Sequence, residues 1–360
     1  MHRRYLWLAV TLALLIASAT AYVLGGNNLY AQYQTSLAGY TSSCDELVTW
    51  NPPTRLFTGL YVNQPDLVTI HYRSPTRQTL RIFVSIPEFT QEQHVQVTAT
   101  QAAQQVAFKP PLLSATTLDA LVAPGQREAE LHLRVQSLST VLCDTSVPIT
   151  LMSRQWMRWF DPATGDNSAY LAGWVTPNAP EIRDLVGRAA ARLADSPATY
   201  PNATDMHGYD GGRADADDMR EQVNALFDTM AFDYHVRYAS DNVLYNQTTY
   251  QRIQLPADVL NQSKPTAMCV ETTAILASAV EYLGMRAYIV IVPGHAFIGV
   301  ALSASGAPIE YWETSDLNGA TGSQANADGN GEYRANQQVG HVLRVIDIQY
   351  ERDHNIEPIE

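Results

Sequence analysis

The C-terminal half of this 360-residue chain is predicted to have an α+β fold, with a buried helix packed on an antiparallel sheet. Two patterns in this half support the prediction. The stretch from Cys269 to Leu283 is apolar nearly all round, which is typical of a buried helix that ends at Gly284. Three strand patterns with short turns between them follow it, at residues 286–292, 295–302 and 308–314. Helices are also predicted over 179–193 and 219–232, so residues 151–360 form one predicted domain.

A second, all-β domain is predicted for residues 44–150. Apolar and polar residues alternate with a period of two in four stretches, at 66–72, 80–86, 94–99 and 129–135. Proline-containing turns separate these stretches, and no helical pattern lies between them. The sequence therefore predicts a β-sandwich, which serves either as a spacer or as a binding module.

The N-terminus predicts export from the cytoplasm. Arg3 and Arg4 precede an uncharged run from Tyr5 to Leu24, which is long enough to span a bilayer as a helix. No Lys or Arg follows until Arg55, so the charge asymmetry places the later residues outside.

Three interpretations of residues 1–24 stay open: an uncleaved membrane anchor, a signal peptide and a buried soluble helix. The motif Ala19-Thr20-Ala21 has the form of a signal-peptide cleavage site. With either an anchor or a signal peptide, a polar stalk over residues 25–43 leads to extracytoplasmic domains. The predicted localisation is the cell membrane as a single-pass protein, or the exterior if the signal is cleaved.

Composition indicates which partners to expect. The formal net charge is −13, so the average field of the chain repels a polyanion, and nucleic-acid binding is not expected. The acidity is that of a soluble globular surface.

The three cysteines fit an oxidising compartment. An odd number in an exported protein suggests one disulfide and one free thiol. Cys44 and Cys143 bracket the β-rich segment and are the predicted pair, which leaves Cys269 free. The alternative is that Cys44 and Cys143 are both unpaired and buried.

Three residues of the C-terminal domain have the types and positions of a thiol catalytic triad. Cys269 begins the buried helix, where the positive end of the helix dipole stabilises a thiolate nucleophile. His295 opens the second strand of the sheet and is placed to act as a base. Glu313 lies near the end of the next antiparallel strand, where it can return beside His295 and orient the ring.

The same residues carry a resemblance to a known family. Cys269-Val-Glu-Thr-Thr-Ala-Ile-Leu, Val292-Pro-Gly-His-Ala-Phe-Ile-Gly299 and Glu313-Thr314 resemble the core of the transglutaminase-like cysteine hydrolases, a papain-like superfamily. Flanking segments at 174–178, 251–256 and 345–348 resemble bacterial and archaeal members, so the resemblance covers about residues 155–360. It implies that Cys269 is the nucleophile, His295 the general base and Glu313 the third member of the triad, with no cofactor.

The sequence departs from the family pattern in ways that leave alternatives. Many members have Asp as the third residue, so Asp316 competes with Glu313. Members often have Gly shortly before the cysteine, whereas Pro265-Thr-Ala-Met268 stands here. The backbone N–H of Cys269 is the expected oxyanion donor by geometry, and Gln262 is a second candidate.

One further segment suggests a metal. Oxygen-bearing side chains alternate with other residues from Asn326 to Glu332, as in short calcium-binding loops. The full twelve-residue calcium pattern is missing, so an ordinary solvated loop is the preferred interpretation and no metal site is predicted.

Together these observations predict an extracytoplasmic thiol hydrolase or acyltransferase that acts on amide bonds of a peptide or protein. The alternative is a catalytically inactive transglutaminase-like scaffold that serves as a surface binding or assembly protein.

Overall fold

The computed structural model describes residues 42–43, 47–64, 66–113, 125–138, 140–161, 165–209, 215–245 and 250–359. The predicted anchor or signal peptide at residues 1–24 and Cys44 lie outside the described residues. Within the described part of the chain, no helix is both long and apolar enough to cross a membrane. Helices and strands both contribute substantially, as the predicted α+β class requires.

The chain divides into two compact units. The first comprises Met1–Thr54, Asp66–Leu113 and Ala129–Ile149, and the second comprises Arg55–Pro65, Ser114–Glu128 and Thr150–Glu360. The second unit thus takes two short segments from within residues 44–150.

Nine of the strands, in chain order, are β1 (Ser42–Ser43), β2 (Val48–Trp50), β3 (Arg55–Phe57), β4 (Val68–Tyr72), β5 (Gln78–Ser85), β6 (Gln93–Ala99), β7 (Gln104–Phe108), β8 (Gln126–Ser137) and β9 (Thr140–Met152). The first unit contains two sheets. One has the order β1-β2-β4-β7, and the other contains β9, β8, β5 and β6 in that order.

The predicted alternation places apolar side chains on the buried faces of these sheets. Leu80, Ile82 and Val84 of β5 are fully buried, whereas Arg81 between them is exposed. Leu133 and Val135 of β8 pair with this strand and are also fully buried. The period of two in the sequence thus identifies the buried face of each strand.

The second unit contains β3, the remaining strands and the helices. The strands are β10 (Trp156–Arg158), β11 (Phe160–Asp161), β12 (Gly165–Asp166), β13 (Arg237–Tyr238), β14 (Tyr250–Arg252), β15 (Thr266–Ala267), β16 (Ala287–Val292), β17 (His295–Ala301), β18 (Ile309–Trp312) and β19 (Arg344–Asp347). The α-helices are α1 (Thr58–Tyr61), α2 (Pro180–Asp195), α3 (Ala216–Asp228), α4 (Pro256–Leu260), α5 (Cys269–Tyr282), α6 (Gly322–Gln338) and α7 (Ile348–Asp353).

The centre of this unit is α5 on a four-stranded sheet of order β18-β17-β16-β19, whose neighbouring strands are antiparallel. Every residue from Cys269 to Val280 is buried, as the apolar pattern predicts. Ile289, Ile291 and Ile298 of the sheet join the same core. On the other face of the sheet, Phe297 packs with Tyr333 of α6.

The helix α6 is the main element that the sequence interpretation missed. It covers the whole Asn326–Glu332 segment, so both the calcium-loop and the solvated-loop interpretations of that segment are wrong. Residues two apart on a helix point to different sides, so the alternating oxygen side chains do not converge. Gly329 allows this helix to approach β18, since a Cβ there would lie 2.7 Å from the backbone of Trp312.

Candidate active site

Cys269 is the first residue of α5, and the side chain of Glu271 fixes that start. The N-cap Met268 has extended backbone angles, and its N–H donates to the Glu271 carboxylate at 2.8 Å. Gln254 also donates to Glu271, through its backbone N–H and its side-chain amide. This carboxylate at the first turn holds Cys269 at the helix N-terminus, where its backbone N–H has no acceptor within the helix.

The thiol of Cys269 is free and its residue is fully buried. By contrast, Cys143 of the first unit is disulfide-bonded. Its predicted pairing with Cys44 stays a prediction, because Cys44 lies outside the described residues.

His295 lies at the start of β17, immediately after a tight turn. Gly294 has a φ of 74°, in the left-handed region that favours glycine, and the turn joins β16 to β17 with Val292 opposite His295. The His295 side chain is 22% exposed, and its Nε2 lies 2.9 Å from both carboxylate oxygens of Glu313. The turn thus directs the imidazole to the carboxylate.

Glu313 follows β18 and begins a 3₁₀ turn over Thr314–Asn318. Its Oε1 accepts the N–H of Ser315 at 2.9 Å, while its own N–H donates to the Ala325 carbonyl of α6 at 2.9 Å. The carboxylate is therefore fixed from both sides and only 10% exposed.

The thiol completes the chain of contacts. The ring of His295, which is hydrogen-bonded to Glu313, also lies close enough to the Cys269 thiol for this group to raise the pKa of His295. Since Nε2 is engaged by Glu313, Nδ1 is the ring nitrogen left for the thiol. The structure thus brings together the three residues that the sequence singles out.

The charges of these neighbours determine the protonation of the ring. Burial opposes protonation of His295, but hydrogen bonds to Cys269 and Glu313, together with their negative charges, outweigh it and raise the pKa of His295 to about 10. For Glu313, burial favours the neutral acid, but the bonds to His295 and Ser315 outweigh it and lower the pKa of the carboxyl. The imidazolium and the Glu313 carboxylate are therefore the favoured forms at neutral pH.

Two buried threonines join the three elements that carry these residues. The hydroxyls of Thr273 in α5 and Thr314 after β18 lie 2.9 Å apart. The Thr273 hydroxyl also lies 3.5 Å from the Ala296 carbonyl and the Thr314 hydroxyl lies 3.4 Å from the Cys269 carbonyl, so two hydroxyl protons serve three contacts. These contacts hold three elements at fixed distances from one another: the helix α5, the strand that begins with His295, and the turn that follows Glu313. The sequence interpretation had missed both residues, although a threonine inside an otherwise apolar helix pattern was a signal.

Asp316, the competing third member, has a different partner. Its carboxyl group interacts with that of Asp328 on α6, and no hydrogen bond joins it to His295 among the described contacts. Burial, followed by the charge of Glu313, raises the pKa of Asp316 to about 6. Geometry favours Glu313 as the partner of His295.

Gln262, the second candidate for oxyanion stabilisation, is used locally. Its side-chain amide donates to the side chain of Gln254 at 2.7 Å and to the carbonyl of Asp258 at 3.1 Å. Both of its N–H groups are therefore engaged, and the structure gives it no spare donor for an oxyanion.

Gln251 is a further buried residue near the site that the sequence interpretation did not single out. It accepts from Trp159 Nε1 and the Leu244 N–H, and it donates to the Asn242 carbonyl at 2.8 Å. Its amide also lies 3.6 Å from the sulfur of Met268, the residue before Cys269. The side chain therefore links the segment before the thiol to residues 242–244, and Val243 of that segment bridges to Gly294 beside His295.

In the described part of the chain, no group of three or more His, Cys, Asp or Glu residues is arranged to hold a metal ion. Neither models of known protein families nor curated proteins give a match to this chain.

Proposed function

We propose that this protein is an extracytoplasmic thiol-dependent hydrolase or acyltransferase that acts on amide bonds in a peptide or protein. The observation that carries the proposal is that His295 lies between a free thiol and a carboxylate: its Nε2 is 2.9 Å from both oxygens of Glu313, and Cys269 is close enough to raise the pKa of the ring. A buried thiol and imidazole occur singly in many cores, but an oriented imidazole between a free thiol and a carboxylate is the arrangement of nucleophilic catalysis.

In the proposed reaction, the Cys269 thiolate attacks the amide carbonyl and the protonated His295 ring then gives its proton to the leaving amine. Glu313 keeps the ring oriented and stabilises the imidazolium. The thioester that remains is resolved by water in hydrolysis or by a second amine in transfer, with His295 now accepting the proton. The residues support both outcomes equally.

The arrangement of elements supports a transglutaminase-like, papain-like fold. A buried helix that begins at the cysteine packs on an antiparallel sheet, and the histidine and the acid follow on successive strands. The order along the chain and the short motifs at all three positions agree with this family, and hydrolases are the expected activity of a bacterial or archaeal member.

The disulfide at Cys143 supports the proposed compartment, because disulfides persist mainly in oxidising environments. The cytoplasmic membrane is the proposed partner of the apolar segment at residues 5–24. The strand-rich first unit would then hold the catalytic unit outside the cell or serve as a binding module.

One observation favours the alternative of an inactive scaffold. Cys269 is fully buried, so a substrate reaches the thiol only if neighbouring residues move. A scaffold would keep the triad geometry as a remnant and would not need access to the sulfur.

Thiol labelling separates the two functions. The chain is incubated with iodoacetamide near pH 7, and the rate of carbamidomethylation at Cys269 is followed by mass spectrometry. If the protein is an enzyme, Cys269 should be labelled faster than a model thiol, and His295→Ala should slow the labelling. Labelling no faster than the model thiol contradicts the enzyme and favours the scaffold.

A further inference from the structure

A cavity of about 190 Å³ lies beside the N-terminus of α2, away from the candidate active site. One wall of it is attached to α5, because the backbone N–H of Thr176 donates to the Ser278 hydroxyl at 2.9 Å. Ser278 follows Cys269 by nine residues, which corresponds to about 13–14 Å along the helix axis. The cavity is therefore a separate feature of the second unit.

Thr176 gives this cavity a buried polar group without a partner. The residue lines the cavity and is only 2% exposed, and its hydroxyl forms no hydrogen bond with any described residue. An unpaired buried hydroxyl is unfavourable, so native structures pair such groups with protein, water or a ligand. The Thr176 hydroxyl thus indicates a polar occupant.

The first turn of α2 supplies a second unused donor. Pro180, the first residue of the helix, has no N–H, and no described side chain caps the N-terminus. The N–H groups of Ile182 and Arg183 both donate to the Ala179 carbonyl. Among the described contacts this leaves the Glu181 N–H without an acceptor, at the positive end of the helix dipole.

Two opposite charges line the same cavity. Arg154 contributes a guanidinium, and its Nη1 donates to the Ile359 carbonyl at 3.3 Å. Glu181 contributes a carboxylate, which accepts the side-chain amide of Asn261 at 2.6 Å. A ligand that carries both a carboxylate and an ammonium group would be complementary to this pair.

The remaining lining limits the size and polarity of the occupant. Ala179, Pro180 and Leu255 contribute apolar surface. Pro180 is exposed, so a ligand can enter from solvent. A cavity of roughly 150 Å³ holds the six carbon atoms of benzene, so about 190 Å³ suits roughly eight non-hydrogen atoms. An α-amino acid with a short branched apolar side chain has this size and both charges.

We propose that this cavity binds a free α-amino acid with a small apolar side chain, of which valine is the example tested below. Its carboxylate contacts the Arg154 guanidinium and accepts hydrogen bonds from the Thr176 hydroxyl and the Glu181 N–H. Its ammonium group donates to the Glu181 carboxylate. The binding is non-covalent and does not use the thiol, so it is independent of the proposed function.

Titration calorimetry of the full chain with L-valine and two analogues tests each charge of the ligand. 3-Methylbutanoate keeps the carbon skeleton and the carboxylate but lacks the ammonium group, whereas 2-methylpropylamine keeps the ammonium group but lacks the carboxylate. We expect valine to bind with a Kd of about 1 mM or below. Each analogue should bind about tenfold or more weakly, since one charged contact is lost.

Thr176→Val tests the position of the ligand, because it removes only the unpartnered hydroxyl from a side chain of similar shape. The variant should have an unchanged or raised Tm but should bind valine and 3-methylbutanoate about tenfold more weakly. Thr58→Val is the matched control: the Thr58 hydroxyl is also buried without a described partner, but the residue does not line the cavity. This control should bind valine as wild type does.

Glu181→Gln tests the orientation of the ligand. It removes the negative charge that faces the ammonium group, while the amide oxygen can still accept from Asn261. Valine should bind about tenfold more weakly, whereas 3-methylbutanoate should bind as well as to wild type or better.

Three results would overturn the proposal. No detectable binding of valine at millimolar concentrations would mean that water alone fills the cavity. Equal binding of valine and both analogues would contradict recognition of both charges. Unchanged valine affinity in Thr176→Val would place the ligand elsewhere. The proposed function is tested separately, by labelling of Cys269, and stands or falls without these results.

Discussion

Replacing Glu313 by Gln tests whether its charge sets the protonation of His295. The amide has nearly the same shape as the carboxylate and can still accept a hydrogen bond from Nε2, so the main change is loss of the negative charge. A hydrogen bond to a charged group is worth about 1.5–3 kcal/mol and one to a neutral group about 0.5–1.5 kcal/mol, so the charge accounts for about 1–1.5 kcal/mol, and 1.36 kcal/mol corresponds to one pH unit. The midpoint of the His295 titration should therefore move down by about one pH unit.

The assay is an NMR titration of the purified chain with labelled histidine rings, in which the His295 signal is assigned by its absence in His295→Gln. Wild type should titrate near the pKa of about 10 that the contacts with Cys269 and Glu313 impose. Glu357→Gln removes the same charge at an exposed residue and should leave the titration of His295 unchanged. A wild-type midpoint near 6.5, or the same midpoint in Glu313→Gln, would refute the reasoning.

Three further predictions concern the surroundings of the site. Gln251→Leu removes the hydrogen-bond partner of three polar groups, on Trp159, Leu244 and Asn242. It should lower the free energy of unfolding by at least about 3 kcal/mol in urea titrations. A loss below about 1 kcal/mol would contradict the role of this amide. Gly329→Ala places a Cβ 2.7 Å from the backbone of Trp312 and should lower the free energy of unfolding by about 1–3 kcal/mol. Gly331→Ala on the same helix has open space around the new Cβ, so its effect should lie between zero and a stabilisation of about 1 kcal/mol. Equal effects of the two substitutions would contradict the close packing of α6. The raised pKa of Asp316, about 6, means that the folded state favours its neutral form, so stability is lost as pH rises from about 4 to 6. Asp316→Asn should therefore be more stable than wild type at pH 8, with a smaller advantage at pH 5, and a pH-independent difference in thermal midpoints argues against the raised pKa.

Most elements around the site could be predicted from local patterns. The helix that begins at Cys269 is buried on every side, so its apolar pattern is unambiguous, and Gly284 marks its end. His295 and Glu313 follow from strand periodicity and short turns, since antiparallel pairing of β17 with β18 is then nearly unavoidable. The strand pattern and the short turns are therefore enough to predict that His295 and Glu313 lie side by side.

The helix α6 could not be predicted in the same way because its sequence is rich in Gly and Asn, which have low helix propensity. Tertiary contacts stabilise it: Gly322 and Gly329 permit close approach to the backbones of Asn224 and Trp312. One local signal did exist, because Thr321 and Gln324 form a reciprocal capping box at its start.

Gln251 lies in a region of two- and three-residue strands, where periodicity carries little information. Its position depends on partners far along the chain, such as Trp159. Only the folded arrangement reveals that it lies against the segment that carries the nucleophile.

The central claim is that Cys269 is an activated nucleophile paired with His295, and the most direct test is the rate of its alkylation by iodoacetamide near pH 7. We expect labelling of Cys269 faster than a model thiol in wild type, and slower labelling in both His295→Ala and Glu313→Gln. A Cys269 that labels no faster than the model thiol, with the same rate in all three chains, would contradict the claim.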